Sequence, residues 1–112
     1  MTISNIWVFA EAAEGEPTAA TLELLTKARS LAGAVTAFVA GDAAEIAGKL
    51  GEYGASKVYG TGDLQGALPG AAVAAAMKSV IDGGDTPDVI LFPQDYVGRD
   101  VVSRLSVKLD RP

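Results

Sequence analysis

The run Val89-Ile90-Leu91-Phe92 constrains the fold more than any other stretch of this chain. It is entered from the turn pair Pro87-Asp88, is wholly apolar and opens on a β-branched pair. A short apolar run bounded by turn residues suits a strand covered on both faces. The run stops at Pro93, which has no N–H to give a ladder. A polar loop follows, and from about Gly98 the apolar residues recur at helical spacing as Val101, Val102, Leu105 and Leu109. A strand, a loop at its carboxyl end and then a helix is where open α/β sheets place their chemistry.

The rest of the chain repeats that unit. Ile6 to Phe9 reads as a first strand with bulky residues suited to a sheet centre. Glu11 to Glu16 reads as a polar loop, and Pro17 with Thr18 as the start and cap of a helix. Leu24, Leu25, Ala28 and Leu31 mark its buried face, and Gly33 its stop. Val35 to Val39 is a second strand, with Gly41-Asp42 as turn and cap of a helix carrying Ala43, Ile46, Ala47 and Leu50 and ending at Gly51. Lys57 to Tyr59 is a short third strand, Thr61 to Gly66 a loop, and Pro69 opens a third helix. Val73, Ala76, Met77, Val80 and Ile81 share one face of that helix, and Gly83 to Pro87 terminates it. Four strand–helix units with short loops predict an α/β fold, three layers α/β/α around a mostly parallel sheet. A further strand is expected after the fourth helix, so residues 1–112 are read as a truncated sheet, one α/β domain of a longer chain.

Composition removes several function classes. The sequence has no His and no Cys, which excludes imidazole acid–base work, disulfides and zinc thiolate sites. Fourteen acidic residues against nine basic give a net charge of −5 with no basic cluster, so nucleic acid is not an expected partner. No run approaches the roughly 20 apolar residues of a membrane span, and no signal or transit segment precedes the first strand. The expectation is a bacterial cytoplasmic protein without membrane insertion.

Four stretches, in order, resemble the N-terminal domain of the electron transfer flavoprotein alpha subunit. They are Phe9-Ala10-Glu11, Leu24-Leu25-Thr26-Lys27-Ala28-Arg29, Leu50 to Tyr59, and Gly98-Arg99-Asp100 followed by Arg104-Leu105. The resemblance implies a Rossmann-like fold of the adenine nucleotide alpha hydrolase-like kind. It also implies a longer alpha subunit that pairs with a beta subunit and holds one FAD, with most flavin contacts in a second domain beyond residue 112. Such a carrier takes electrons from acyl-CoA or other dehydrogenases and passes them to a quinone oxidoreductase or another acceptor. By the same resemblance the segment in hand is a non-catalytic scaffold and subunit-interface domain, with no FAD expected within it. The chain departs from the family at Asp95-Tyr96, where small Ser/Thr residues are usual.

The residues singled out are Tyr96, Gly98, Arg99, Asp100 and Arg104. A ligand reading makes Gly98 a close-approach position at a helix amino terminus and Arg99 the partner of an anion. The structural reading makes Gly98 the turn into the helix, Asp100 a charge at the helix's positive end, and Asp100 with Arg104 an i, i+4 pair. The structural reading is preferred, because charges at helix ends usually act this way, and the resemblance, which places the flavin contacts elsewhere, supports it. Tyr96 reads as lying in the loop after the fourth strand, where an exposed aromatic would suit stacking or docking. No catalytic, metal-ligating or cofactor-binding residue is expected. Glu11, Glu14 and Glu16 read as a solvated loop edge, and no Gly-x-Gly-x-x-Gly or Gly-Lys-Ser/Thr motif is present to cradle phosphate. Asp42 with Glu45 and Asp82 with Asp85 read as caps and turns rather than metal ligands. A different class of function, a stand-alone nucleotide-binding module resembling universal stress proteins, lacks its glycine-rich phosphate loop here.

Overall fold

A computed structural model describes residues 3–13, 15–41, 44, 46–62 and 69–109. The expected caps and pairs at Glu14, Asp42, Ala43 and Glu45, and most of the loop from Asp63 to Gly66, lie outside the described residues.

Apolar alternation builds the centre of the molecule. Strand β1 (Ile3–Ala10) sends Ile6, Val8 and Ala10 to one face and Trp7 and Phe9 to the other, and all five are buried. After a two-residue hairpin, β2 (Ala12–Ala13) against β3 (Glu16–Pro17), helix α1 (Ala19–Leu31) leads into β4 (Ala32–Val39). A short helix α2 (Ala47–Glu52) and strand β5 (Lys57–Gly60) follow. Helix α3 (Pro69–Asp82), strand β6 (Val89–Leu91) and helix α4 (Tyr96–Leu109) complete the chain. The main sheet is parallel throughout, in the order β5-β4-β1-β6.

Two cores lie on opposite faces of this sheet. Ile6, Val8, Val35 and Ala37 pack with Leu25 of α1 and Leu50 of α2. Trp7, Phe9 and Phe38 pack with Val73 and Met77 of α3 and Val101 of α4. The architecture is therefore three layers, α/β/α. Trp7 and Phe38 rings meet at 4.5 Å, and Phe38 stacks on Tyr59 at 5.1 Å, so aromatic surface continues across three neighbouring strands.

Local chemistry sets the boundaries. Thr18 caps α1, its Oγ1 accepting from the Thr21 N–H at 3.2 Å. Pro69 is the first residue of α3, where its missing N–H costs nothing. Asp88 fastens the start of β6 to the start of β1: its Oδ2 accepts from Ser4 N–H at 2.9 Å and Asn5 N–H at 3.1 Å.

Several boundaries and faces differ from the sequence reading. The segment after β1 is a hairpin rather than an open loop, turned by Gly15 at φ 78° and tied to α2 by the Lys49–Glu16 ion pair. Helix α1 ends at Leu31 and the chain enters β4 at once, so Gly33 lies inside a strand and Leu31 is exposed. Gly51 lies inside α2, which continues to Glu52. Helix α4 begins at Tyr96 rather than Gly98. Strand β6 is covered on both faces, Leu91 packing into one core and Ile90 with Phe92 into the other, but among the described residues it pairs only with β1, and at this edge Val89 is 37% exposed and Val102 is exposed too.

Candidate functional site

Strand order reverses at β1. The chain moves outward from β1 through β4 to β5, then crosses back to lay β6 on the other side of β1. In open α/β sheets this switch point opens a crevice at the carboxyl ends of the two strands. The loops that flank it here follow Ala10 of β1 and Leu91 of β6.

The β1 side is built around Thr21. The Glu11 N–H donates to Thr21 Oγ1 at 2.7 Å, and Thr21 Oγ1–H donates to the Glu11 carbonyl at 3.2 Å. Thr18 adds its N–H to the same carbonyl at 2.9 Å and its hydroxyl to Thr21 Oγ1 at 2.9 Å. Thr21 is fully buried, so the amino terminus of α1 grips the backbone at Glu11.

The β6 side is built around Asp95, which caps α4. Its Oδ1 accepts the Gly98 N–H at 2.8 Å, and its carbonyl accepts the Arg99 N–H at 3.0 Å. Gly98 is buried, and a Cβ there would collide with the Pro93 carbonyl oxygen. Asp95 and Glu11 meet across the crevice through a side-chain hydrogen bond. Burial first, and then that bond and the charge of Asp95, push the Glu11 carboxyl up to about 7. The bond to Glu11, the Gly98 N–H and the nearby Arg99 hold Asp95 below the usual carboxylate range. Glu11 is thus half-buried and engaged rather than a freely solvated loop acid.

The five singled-out residues divide into two groups. Tyr96, Gly98 and Arg99 stand at the crevice end of α4; Tyr96 is 85% exposed and Arg99 is exposed. Asp100 and Arg104 turn to other work. Arg104 Nε donates to Asp100 Oδ1 at 2.9 Å, and the Asp100 carboxylate lies against Gly70 in the first turn of α3. Asp100 is beyond the first turn of its own helix, so the helix start it meets belongs to α3. Asp95 and Glu11 are the residues that sequence reasoning undervalued. An Asp three positions before a buried Gly at a helix start was the available signal for the cap; nothing local signalled the pairing with Glu11.

Chemically the crevice is acidic and narrow in repertoire. The Gly98 N–H, the donor best placed to meet a phosphate, is taken by Asp95 Oδ1. Among the described residues no group of three acidic side chains converges to hold a metal ion, and no helix is long and apolar enough to cross a membrane. Away from the crevice, a groove of 690 Å³ runs along the free edge of β6, lined by Ile81, Ile90, Phe92, Val102, Leu105 and Leu109. The Lys78–Asp82 pair and Asp88 stand on its rim.

Comparison with known proteins matches residues 6–112 to the electron transfer flavoprotein domain family. The electron transfer flavoprotein subunit alpha of Syntrophomonas wolfei is 32% identical over 108 residues, covering 96% of this chain and 34% of that protein. The chain therefore spans about a third of the length of this curated relative.

Proposed function

Because the chain belongs to the electron transfer flavoprotein domain family, we propose that residues 1–112 are the N-terminal scaffold and subunit-interface domain of an electron transfer flavoprotein alpha subunit. In this reading the complete protein pairs with a beta subunit, carries one FAD and works in the bacterial cytoplasm. It takes electrons from acyl-CoA or other dehydrogenases and delivers them to an acceptor such as a quinone oxidoreductase. The flavin supplies the redox chemistry, and the protein supplies binding and orientation.

One observation carries the scaffold assignment. The motif residues Gly98 and Asp100 spend their groups inside the fold, Gly98 on Pro93 and Asp95 and Asp100 on Gly70 and Arg104. They fix α4 against α3 and β6 rather than presenting donors to a ligand. The switch-point residues do not fit a flavin dinucleotide: its pyrophosphate would meet the Glu11–Asp95 carboxyl pair where a donor-rich loop is required. That supports placing the flavin contacts outside this domain. The exposed Tyr96 and Arg99 are of the residue types that anchor protein interfaces, which supports their end of α4 as a face toward the beta subunit.

The test uses the purified chain in two arms. Calorimetry with FAD, ATP and AMP should show no tight binding, and the preparation should be colourless. Capture by a flavoprotein beta subunit should succeed and should weaken in Tyr96→Ala and Arg99→Ala. A yellow preparation, or micromolar ATP binding, overturns the scaffold reading, the latter in favour of a nucleotide-binding module.

A further inference from the structure

The two edges of the main sheet are not alike. Strand β5, at one edge, opens on the exposed Lys57 and closes on Gly60. A charged residue on an edge strand discourages a further strand from pairing there. Strand β6, at the other edge, is Val89-Ile90-Leu91, with no charge and no proline inside it. Among the described residues it pairs only with β1, so its outer backbone groups face the groove of 690 Å³. Val89 and Val102 are 37% and 41% exposed at this groove, one from the strand and one from α4. An apolar, unguarded edge with aliphatic side chains beside it is a template for another strand.

Crossover hand decides which edge a following strand takes. The steps from β1 to β4 and from β4 to β5 move outward with α1 and α2 on one face of the sheet. The step from β5 back to β6 runs the other way, and its helix α3 lies on the opposite face. Reversing both direction and face keeps the hand the same, as parallel sheets require. Helix α4 shares the face of α3, its Val101 and Leu105 packed with Val73 and Met77. A crossover of the same hand through α4 therefore steps past β6, away from β1, and a step back toward β5 would need the opposite hand. Helix α4 ends at Leu109, which lines the same groove as Asp88 and Val89. The chain thus leaves α4 beside the beginning of β6, where a parallel neighbour has to begin.

We propose that the outer edge of β6 and its groove are the seat of a fifth strand of the main sheet, supplied by the same polypeptide after α4 and running parallel to β6. The proposal rests on the alpha-subunit reading, in which residues 1–112 are about a third of the whole. The seat defines its occupant: a segment of about 5–6 residues, apolar on both sides because both of its faces are covered. One set of its side chains covers Ile90 and Val102 on the α4 face. The alternate set covers Val89, which shares the face of Leu91. Val89 and Val102 are then core residues of the complete domain rather than surface ones.

Hydrogen exchange on the complete subunit and on residues 1–112 tests it. The Val89–Leu91 amides not bonded to β1 should exchange freely in residues 1–112 and slow by orders of magnitude in the complete subunit. That protection should hold without the beta subunit and on dilution. Val102→Lys should scarcely move the thermal midpoint of residues 1–112, where the side chain meets solvent, and should clearly lower that of the complete subunit. Equal exchange in the two chains, or a Val102→Lys effect equally small in both, overturns the proposal. So does protection that appears only with the beta subunit, or that fades on dilution as a second copy departs. Flavin content and beta-subunit capture are read separately: a complete protein that protects β6 but stays colourless keeps this proposal and sinks the flavoprotein reading.

Discussion

The carboxylate of Asp100 lies directly on the Cα face of Gly70, so that α4 crosses the first turn of α3 with no side chain between them. Gly70 is buried, and its role there is space rather than backbone freedom. A methyl group at this position would overlap the Asp100 carboxylate, and even the Asp100 Cβ would stand only 3.2 Å away. Side-chain rotation therefore relieves the worst of the overlap, but the Asp100 Cβ must still give way by a small shift of α4 against α3. Gly70→Ala is expected to cost about 1–3 kcal/mol, the usual range for overpacking. The measurement is the denaturant midpoint. Adding Asp100→Ala to Gly70→Ala should recover most of the loss, because the exposed Asp100–Arg104 pair is itself worth about 0.2–1 kcal/mol at most.

Gly98→Ala should be the harsher change. The obstacle is the Pro93 carbonyl oxygen, a backbone atom that no rotamer can move, and Asp95 Oδ1 stands 3.1 Å from the same point. The new methyl strains the loop after β6 and threatens the cap of α4 together. An expected loss of about 3 kcal/mol, at the upper end of the overpacking range, would exceed that of Gly70→Ala. Equal losses in thermal unfolding would show that the loop yields more easily than its packing suggests.

How far the sequence reached depends on the range of the signal. Leu25 and Ala28, or Val73 and Met77, are buried where helical spacing placed them, because a helix facing a sheet must hide one stripe. The order of four strand–helix units was legible for the same reason. Leu31 and Val102 obey the same spacing yet are exposed. Leu31 ends its helix just as the chain turns into β4, and Val102 faces the open side of β6, so both depend on what stands beside them. The β2–β3 hairpin is two residues a side, too short to carry any period. The Glu11–Asp95 contact joins opposite ends of the chain, and only strand order brings it about. Asp95 looked like a departure from the resembled family; in place it caps α4.

That cap predicts a graded series at one position. Asp95→Ala removes the acceptor for the Gly98 N–H and should cost about 1 kcal/mol, within the 0.5–2 kcal/mol seen for caps. Asp95→Asn retains an acceptor and should cost much less. Urea denaturation at fixed pH, below neutrality so that Glu11 stays protonated, separates the cap from the carboxyl contact. If Asn proves as damaging as Ala there, capping is not what Asp95 contributes.

The single tryptophan offers a direct reading of the core. Trp7 is 0% exposed, packed on Phe38, and its Nε1–H has no hydrogen-bond partner among the described residues. An unpaired buried donor costs about 1–3 kcal/mol, which offsets part of what the ring gains by burial. Trp7→Phe should therefore be milder than the 3–5 kcal/mol of a large aromatic truncated to Ala. Native fluorescence should be blue-shifted and shielded from aqueous quenchers, moving red on unfolding. A quencher-accessible native signal would contradict the packing of Trp7 between the sheet and α3.

Stability should fall as pH rises toward neutrality, contrary to the habit of paired carboxylates. Glu11 holds its proton in the native state up to about 7, against 4.5 in its unperturbed state. Between those values the folded chain binds more protons than the unfolded chain, so raising the pH favours unfolding. The contribution is fully present below pH 4.5 and is lost as the pH passes through about 7. Asp95 works the other way: its folded value lies below 3.8, so its contribution is present above that value and disappears only in stronger acid. Urea midpoints should therefore decline from mildly acidic to neutral pH. Glu11→Gln has no proton to lose and should flatten that slope while leaving the acid limb governed by Asp95. A wild-type midpoint that rises through the same window, or a slope unchanged in Glu11→Gln, would assign the proton to some other group.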